Sequence, residues 1–236
     1  MKLGGDAVPA TVNKRMHKIK VILADDHVLV REGTRSLLEQ EPDIEVVGEA
    51  SDGEEAVRLV TELRPHVVLM DIAMPKLNGI EATKQIKSRY PATAVLILTA
   101  YDNDQYIFAL LEAGAAGYLL KNVKGRDLVN AIRAVYAGEA VLHPVIARKV
   151  LNRLATSVQQ GGGEIQSQNL SEREMEILRL AARGMSNQDI ASKLFLSRRT
   201  VQAHLGNIFR KMDVGSRTEA ILAALKRGWF TLDDVA

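Results

Sequence analysis

The chain has 236 residues, enough for two domains that each close a core of their own. It has no cysteine, which excludes disulfides and thiolate metal sites, and no apolar stretch approaches the roughly 20 residues that cross a bilayer. The net charge of +2 conceals an asymmetry: residues 19–140 hold 13 Lys/Arg against 19 Asp/Glu, whereas residues 166–236 hold 11 against 8. An acidic half joined to a basic half fits a cation-binding domain tethered to a nucleic-acid-binding one.

In chain order, residues 1–18 carry no strand or helix pattern and read as a disordered tail; alternatively, translation begins at Met16. They lack the apolar segment of a secretory signal, so a reducing cytoplasm is the simplest location. Four short apolar runs follow, each ending in a reactive residue. VILADD stops at Asp25-Asp26, VVLMD at Asp71, VLILT at Thr99 and GYLLK at Lys121. Between them lie stretches long enough for a helix and two turns. That alternation predicts an α/β fold, a parallel sheet wrapped by helices, which brings all four run ends to one edge. Ligands bind at the carboxyl edge of such sheets. Singly, an Asp-Asp pair is a helix cap or turn, Thr99 a β-branched strand residue and Lys121 a surface charge. Together, three carboxylates, a hydroxyl and an ammonium suit Mg²⁺ and phosphoryl transfer to a carboxylate.

Helical patterning continues over 124–137, and 144–154 reads as one more helix with Pro144 in its first turn. The stretch ATSVQQGGGEIQSQN is too poor in apolar residues to bury a core and reads as a flexible linker. Four short helices close the chain. Ser171 with Glu174 and Ser216 with Glu219 fit capping boxes, and Ser186 and Ser197 can cap the two helices between. Helices 186–194 and 198–212, separated only by residues 195–197, allow the DNA-binding helix-turn-helix arrangement, which non-binding helical hairpins share. In 198–212, Val201, Leu205, Ile208, Phe209 and Met212 form one apolar stripe, which is core. The remaining surface carries Arg198, Arg199, Thr200, Gln202, Ala203, His204, Gly206, Asn207, Arg210 and Lys211, small in the middle and basic at both ends, a face that could lie close to bases while its arginines reach phosphates or guanine edges. Gly206 costs about 1 kcal/mol relative to Ala in a helix; close approach to DNA or tight helix packing would explain it. The last helix has more apolar surface than a small domain needs, which leaves core packing and subunit pairing both open.

Residues 19–140 resemble the receiver domain of a two-component response regulator. The segment LSEREMEILRLAARGMSNQDIASKLFLSRRTVQAHLGNIFRKM resembles the LuxR-type helix-turn-helix over its whole length. The chain thus resembles a NarL/FixJ-type regulator: a flavodoxin-like, doubly wound, five-stranded receiver (19–140), a helix and linker (141–169), and a four-helix DNA-binding domain (170–236). The resemblance makes Asp71 the phosphoacceptor. It gives Asp25, Asp26, Asp71 and the Ala73 carbonyl to Mg²⁺, with Asp25 acting through water. Lys121 and Thr99 would bind phosphoryl oxygens, and Tyr118 would change position with Thr99. Two departures stand out. Asn122 follows Lys121 where many receivers have proline, which leaves open whether that bond is cis, and Gln202 replaces the familiar lysine, favouring an adenine contact over a phosphate or guanine one.

The implied function is a phosphorylation-controlled transcription factor. A sensor histidine kinase or small phosphodonor would phosphorylate Asp71, the surface around helices 103–113 and 124–137 would change, and a homodimer would bind double-stranded DNA. Two rivals remain. One is an aspartyl-phosphate hydrolase, against which stands the absence of a second Asp at phosphatase spacing after Asp71 and of room for a cap domain. The other is a DNA-binding protein whose receiver serves unphosphorylated for docking, against which stands the complete acidic set.

Overall fold

The structure is a computed structural model that describes residues 18–100, 104–142 and 170–230. The tail over 1–17, the helix expected over 144–154 and the Gly/Gln/Ser stretch lie outside the described residues. The first unit alternates strand and helix: β1 (Ile19–Ala24), α1 (Val28–Leu38), β2 (Ile44–Ala50), α2 (Gly53–Leu63), β3 (Val67–Met70), α3 (Gly79–Arg89), β4 (Ala94–Thr99), α4 (Asp104–Glu112), β5 (Gly117–Leu120), α5 (Gly125–Tyr136) and β6 (Val141–Leu142). All strand pairs are parallel, in the order β2-β1-β3-β4-β5-β6. The five expected strands are joined by a sixth of only two residues at the β5 edge, too short to leave a periodic signal.

The strands alternate their apolar side chains between two faces. Val21, Leu23, Leu69 and Leu98 pack with Leu38 of α1 and Leu128, Ile132 and Val135 of α5. Ile22, Ala24, Met70 and Ile97 meet Val60 of α2, Ile86 of α3 and Leu110 of α4 on the other face. Burial on both sides is why β3 and β4 read as unbroken apolar runs.

The second unit is all helix: α6 (Glu172–Ala182), α7 (Asn187–Leu194), α8 (Arg198–Met212) and α9 (Arg217–Lys226). Ser171 with Glu174 closes a full capping box, Ser186 does so with Asp189, and Ser197 caps α8 through the Thr200 amide. At α9 only half of the expected box forms. Ser216 accepts from the Glu219 amide, but Glu219 Oε2 takes the Gly215 N–H at 2.6 Å because that carboxylate turns toward the neighbouring unit. Val201, Leu205, Ile208 and Met212 are buried and Phe209 packs against them, as the stripe on α8 requires.

Candidate functional site

The strand register delivers the reactive residues to one edge. β1 pairs with β3 so that Ala24 faces Met70, which places Asp25 and Asp71 side by side just beyond the sheet. β4 and β5 pair Thr99 with Leu120, and the Lys121 amide donates to the Thr99 carbonyl at 2.8 Å. Asp25 and Asp71 are 6% and 3% exposed, whereas Asp26 is open to solvent. Ligand atoms of Asp25, Asp26, His27 and Asp71 all lie within 4.8 Å of one another. Lys121 Nζ bridges the two buried carboxylates, at 2.7 Å from Asp25 Oδ2 and 2.7 Å from Asp71 Oδ2. Burial draws the Lys121 ammonium down, but its hydrogen bonds to Asp25 and Asp71 outweigh that and hold it above the ordinary lysine value. The remaining oxygen of Asp71 accepts the Ile72 N–H at 2.7 Å.

The loop after Asp71 is pinned in place. Asn78 caps α3 by accepting from Ile80 and Glu81 amides, and a Cβ on Gly79 would meet the Asp71 carbonyl oxygen at 2.0 Å, so only glycine fits. Asp52, at the start of α2, accepts from Lys76 Nζ at 2.6 Å and ties the far side of that loop. Ala73 lies in the loop, exposed, with its carbonyl the only donor it offers. Thr99 and Tyr118 are fully buried, so Tyr118 occupies an inner position here. The Lys121–Asn122 bond is trans.

His27 is the member that the sequence reading passed over. Its Nδ1 lies 2.8 Å from Asp26 and 3.1 Å from Asp25, and its amide donates to Asp25 at 3.0 Å. Its place directly after the Asp pair was the available signal. With oxygen donors from three carboxylates, the pocket has the hard-ligand chemistry that magnesium selects.

On α8, Arg198, Arg199, Gln202, Ala203, Gly206, Arg210 and Lys211 are exposed, while Thr200, His204 and Asn207 are half-buried. Among the described residues, nothing beyond its own helix backbone and chain neighbours lies within 4 Å of a Cβ placed on Gly206, so packing against them does not account for that glycine. Several of these side chains are engaged. Arg210 donates to Asn207 at 2.8 Å, Lys211 pairs with Glu174 at 2.7 Å, and Gln202 donates to the Ala137 carbonyl of the first unit at 3.0 Å. Asn187 donates to that same carbonyl at 2.7 Å.

Comparison with known proteins accounts for both units. Residues 21–133 match the response regulator receiver domain and residues 168–224 the bacterial regulatory proteins of the luxR family. The chain is 46% identical to the transcriptional regulatory protein LiaR of Bacillus subtilis, over 87% of this chain and 96% of that one. It is 40% identical to DegU of Brevibacillus brevis, over 90% and 95%. Among solved structures, the response regulator ChrA of a heme-sensing two-component system superposes with a TM-score of 0.50 at 40% identity, covering 91% of this chain and all of that one. RcsB of Salmonella typhimurium gives 0.54 at 30%, covering 88% and 98%. With an acidic pocket at the sheet edge, a helix-turn-helix behind it and relatives matched along nearly their whole length, the chain belongs to the LuxR-type (NarL/FixJ) response regulators, phosphorylation-controlled DNA-binding transcriptional regulators.

Proposed function

We propose that Asp71 is the phosphoacceptor through which this regulator is switched. The observation that carries the reading is the Lys121 ammonium bridging Asp25 and Asp71 at 2.7 Å, where it can follow a phosphoryl oxygen once Asp71 is an acyl phosphate. The Asp71 carboxylate attacks the phosphorus of a phosphohistidine on a sensor kinase, or of a small donor such as acetyl phosphate. The donor's P–O or P–N bond breaks, an Asp71 Oδ–P bond forms and the donor leaves with the bond's electrons. Ile72 N–H holds one Asp71 oxygen, so the attacking oxygen is the one facing Lys121. Asp25, Asp26, Asp71 and the Ala73 carbonyl would hold Mg²⁺, which when bound neutralises charge on the transferred group. The chain's chemistry is confined to its own phosphorylation and dephosphorylation.

Thr99, buried at the end of β4, then turns to a phosphoryl oxygen, and the faces of α4 and α5 adjust with it. Pairing of two chains would set two α8 helices in successive major-groove segments roughly 34–36 Å apart. A solved assembly of two RcsB dimers on two parallel DNAs, 29% identical to this chain at a TM-score of 0.53, supports DNA binding by paired chains. Arg198, Arg199, Gln202 and Arg210 are the side chains for phosphates and base edges, with Ala203 and Gly206 allowing close approach. Such a regulator works in the cytoplasm, where its kinase partner and its DNA are found.

The test is intact mass after incubation with acetyl phosphate and Mg²⁺, beside an Asp71→Ala control. A gain of one phosphoryl group by the wild type alone is expected. An equal gain by Asp71→Ala would move the acceptor elsewhere, and no gain by the wild type would remove phosphorylation of this pocket by a small donor.

A further inference from the structure

The start of α9 rests on the receiver, and the seat is built around one lysine. Lys87, in the last turn of α3, is only 8% exposed, and its ammonium donates to the carbonyls of Pro91 at 2.7 Å and Thr93 at 3.0 Å. Its stem runs between two glycines, one from each domain. A Cβ on Gly114, after α4, would lie 3.1 Å from Glu219 Oε2 and 3.3 Å from Lys87 Cγ. A Cβ on Gly215, before α9, would lie 2.6 Å from Lys87 Cε. A side chain on the Gly215 wall would collide with that stem, and one on the Gly114 wall would crowd it. Ser216 Oγ donates to the Ala115 carbonyl at 3.2 Å beside it, and Lys226 pairs with Glu112 at 2.7 Å along the rim.

Fit holds this seat together, and buried charge works against it. Burial pushes the Lys87 ammonium down to about 8, with the Glu219 charge pulling the other way. Burial likewise pushes the Glu219 carboxyl up, with the Gly215 amide and Lys87 opposing and Asp213 adding to the rise. Lys84 of α3, Glu112 of α4, and Arg210 and Asp213 at the end of α8 line the same cleft and complete its charges. Lys87 meets backbone carbonyls and no carboxylate within ion-pair distance among the described residues, and a buried charge without a matched partner costs stability, so a neutral amine fits the notch better than an ammonium.

We propose that the Gly215 turn seated on Lys87 is a proton-linked joint between receiver and DNA-binding domain, which parts more readily while Lys87 is an ammonium and seats more firmly once it is a neutral amine. The sign follows from linkage. The seated lysine loses its proton near 8, whereas one released to solvent keeps it to about 10.5. In that window parting takes up a proton from solvent, so rising pH favours the seated form. Glu219, whose carboxyl burial raises, acts in the opposite sense. Gly206 and Arg210 of α8 face the cleft that the joint closes.

The full-length chain has no native cysteine, so a dye pair on Glu81→Cys and Arg179→Cys reports the ratio of seated to parted molecules by single-molecule energy transfer. Between pH 7 and pH 9 that ratio should rise about tenfold, and in Lys87→Gln, which stays neutral and can still donate to the loop carbonyls, it should be flat. Gly215→Ala forces a side chain into the notch and should lower the ratio at every pH, bringing a fully seated wild type into measurable range. Circular dichroism confirms that both variants fold. If Lys87→Gln keeps the wild-type pH profile, or Gly215→Ala leaves the ratio unchanged, the proposal fails.

Discussion

Asp25, Asp26 and Asp71 crowd like charges within 4.8 Å, and Lys121 offsets only the two buried ones directly. Removing the exposed charge should therefore help the empty pocket and harm the loaded one. Asp26→Asn is expected to raise stability by about 1 kcal/mol without Mg²⁺, a figure discounted for solvent exposure, and to weaken Mg²⁺ binding. Thermal unfolding with and without Mg²⁺ tests both halves; a variant less stable than wild type in the absence of Mg²⁺ would show that Asp26 is held by His27 more than it is repelled. Asp52 gives the pH-dependent counterpart. The Lys76 hydrogen bond first, then the Glu55 amide, hold its carboxyl below the ordinary 3.8. A depressed carboxyl contributes stability that is fully present above 3.8 and is lost as pH falls through its lower folded value. Asp52→Asn should flatten that acid-side loss in pH-dependent denaturant melts while leaving the slope near neutrality unchanged.

At the scale of elements, Arg217 in the first turn of α9 joins three parts of the DNA-binding domain. It is buried, and its guanidinium donates to Asn187 Oδ1 at 3.2 Å, to the Ala181 carbonyl at 2.9 Å and to the Met185 carbonyl. Burial pulls it down to about 10, still charged at neutral pH. Arg217→Ala removes three buried hydrogen bonds and should cost about 3 kcal/mol, read as a lower denaturant midpoint for the helical domain. An unchanged midpoint would mean that water replaces all three bonds. Nothing in the sequence announced this role, since two of the partners are main-chain carbonyls, which every residue possesses. The same applies to Gln202 and Asn187, whose shared acceptor, Ala137, lies 65 and 50 residues away. By contrast the acidic pocket was legible, because strand ends collect at one sheet edge whatever the rest of the chain does. Strands β3 and β4 were legible as apolar runs because both faces are covered. The half-exposed edge strand β2 mixes Glu45, Gly48 and Glu49 with its apolar residues and gave a much fainter signal.

At the scale of the whole molecule, the α8 surface that reads as DNA-facing also turns toward the receiver. Gln202 spends its amide on the end of α5, and Gly206 and Arg210 line the cleft between the domains. One face cannot hold the receiver and enter a major groove together, so the two uses compete, and any ligand that favours one shifts the population away from the other. The rim pair Glu112–Lys226 offers a way to fix that balance, because both residues are exposed, lie outside the pocket and meet at 2.7 Å across the domains. Replacing both by cysteine in a chain that has none and bridging them with a short bismaleimide should lock the domains together. The bridged protein is expected to bind DNA at least tenfold more weakly than the same variant left unbridged, a loss of about 1.4 kcal/mol, measured by fluorescence anisotropy at fixed salt. Fixed salt matters because phosphate contacts make the affinity steeply salt-dependent. Addition of acetyl phosphate should raise affinity for the unbridged protein and leave the bridged one unmoved. Equal affinity before and after bridging would mean that α8 reads DNA through a face other than the one turned to the receiver, and the assignment of Gln202, Gly206 and Arg210 to DNA would fall with it.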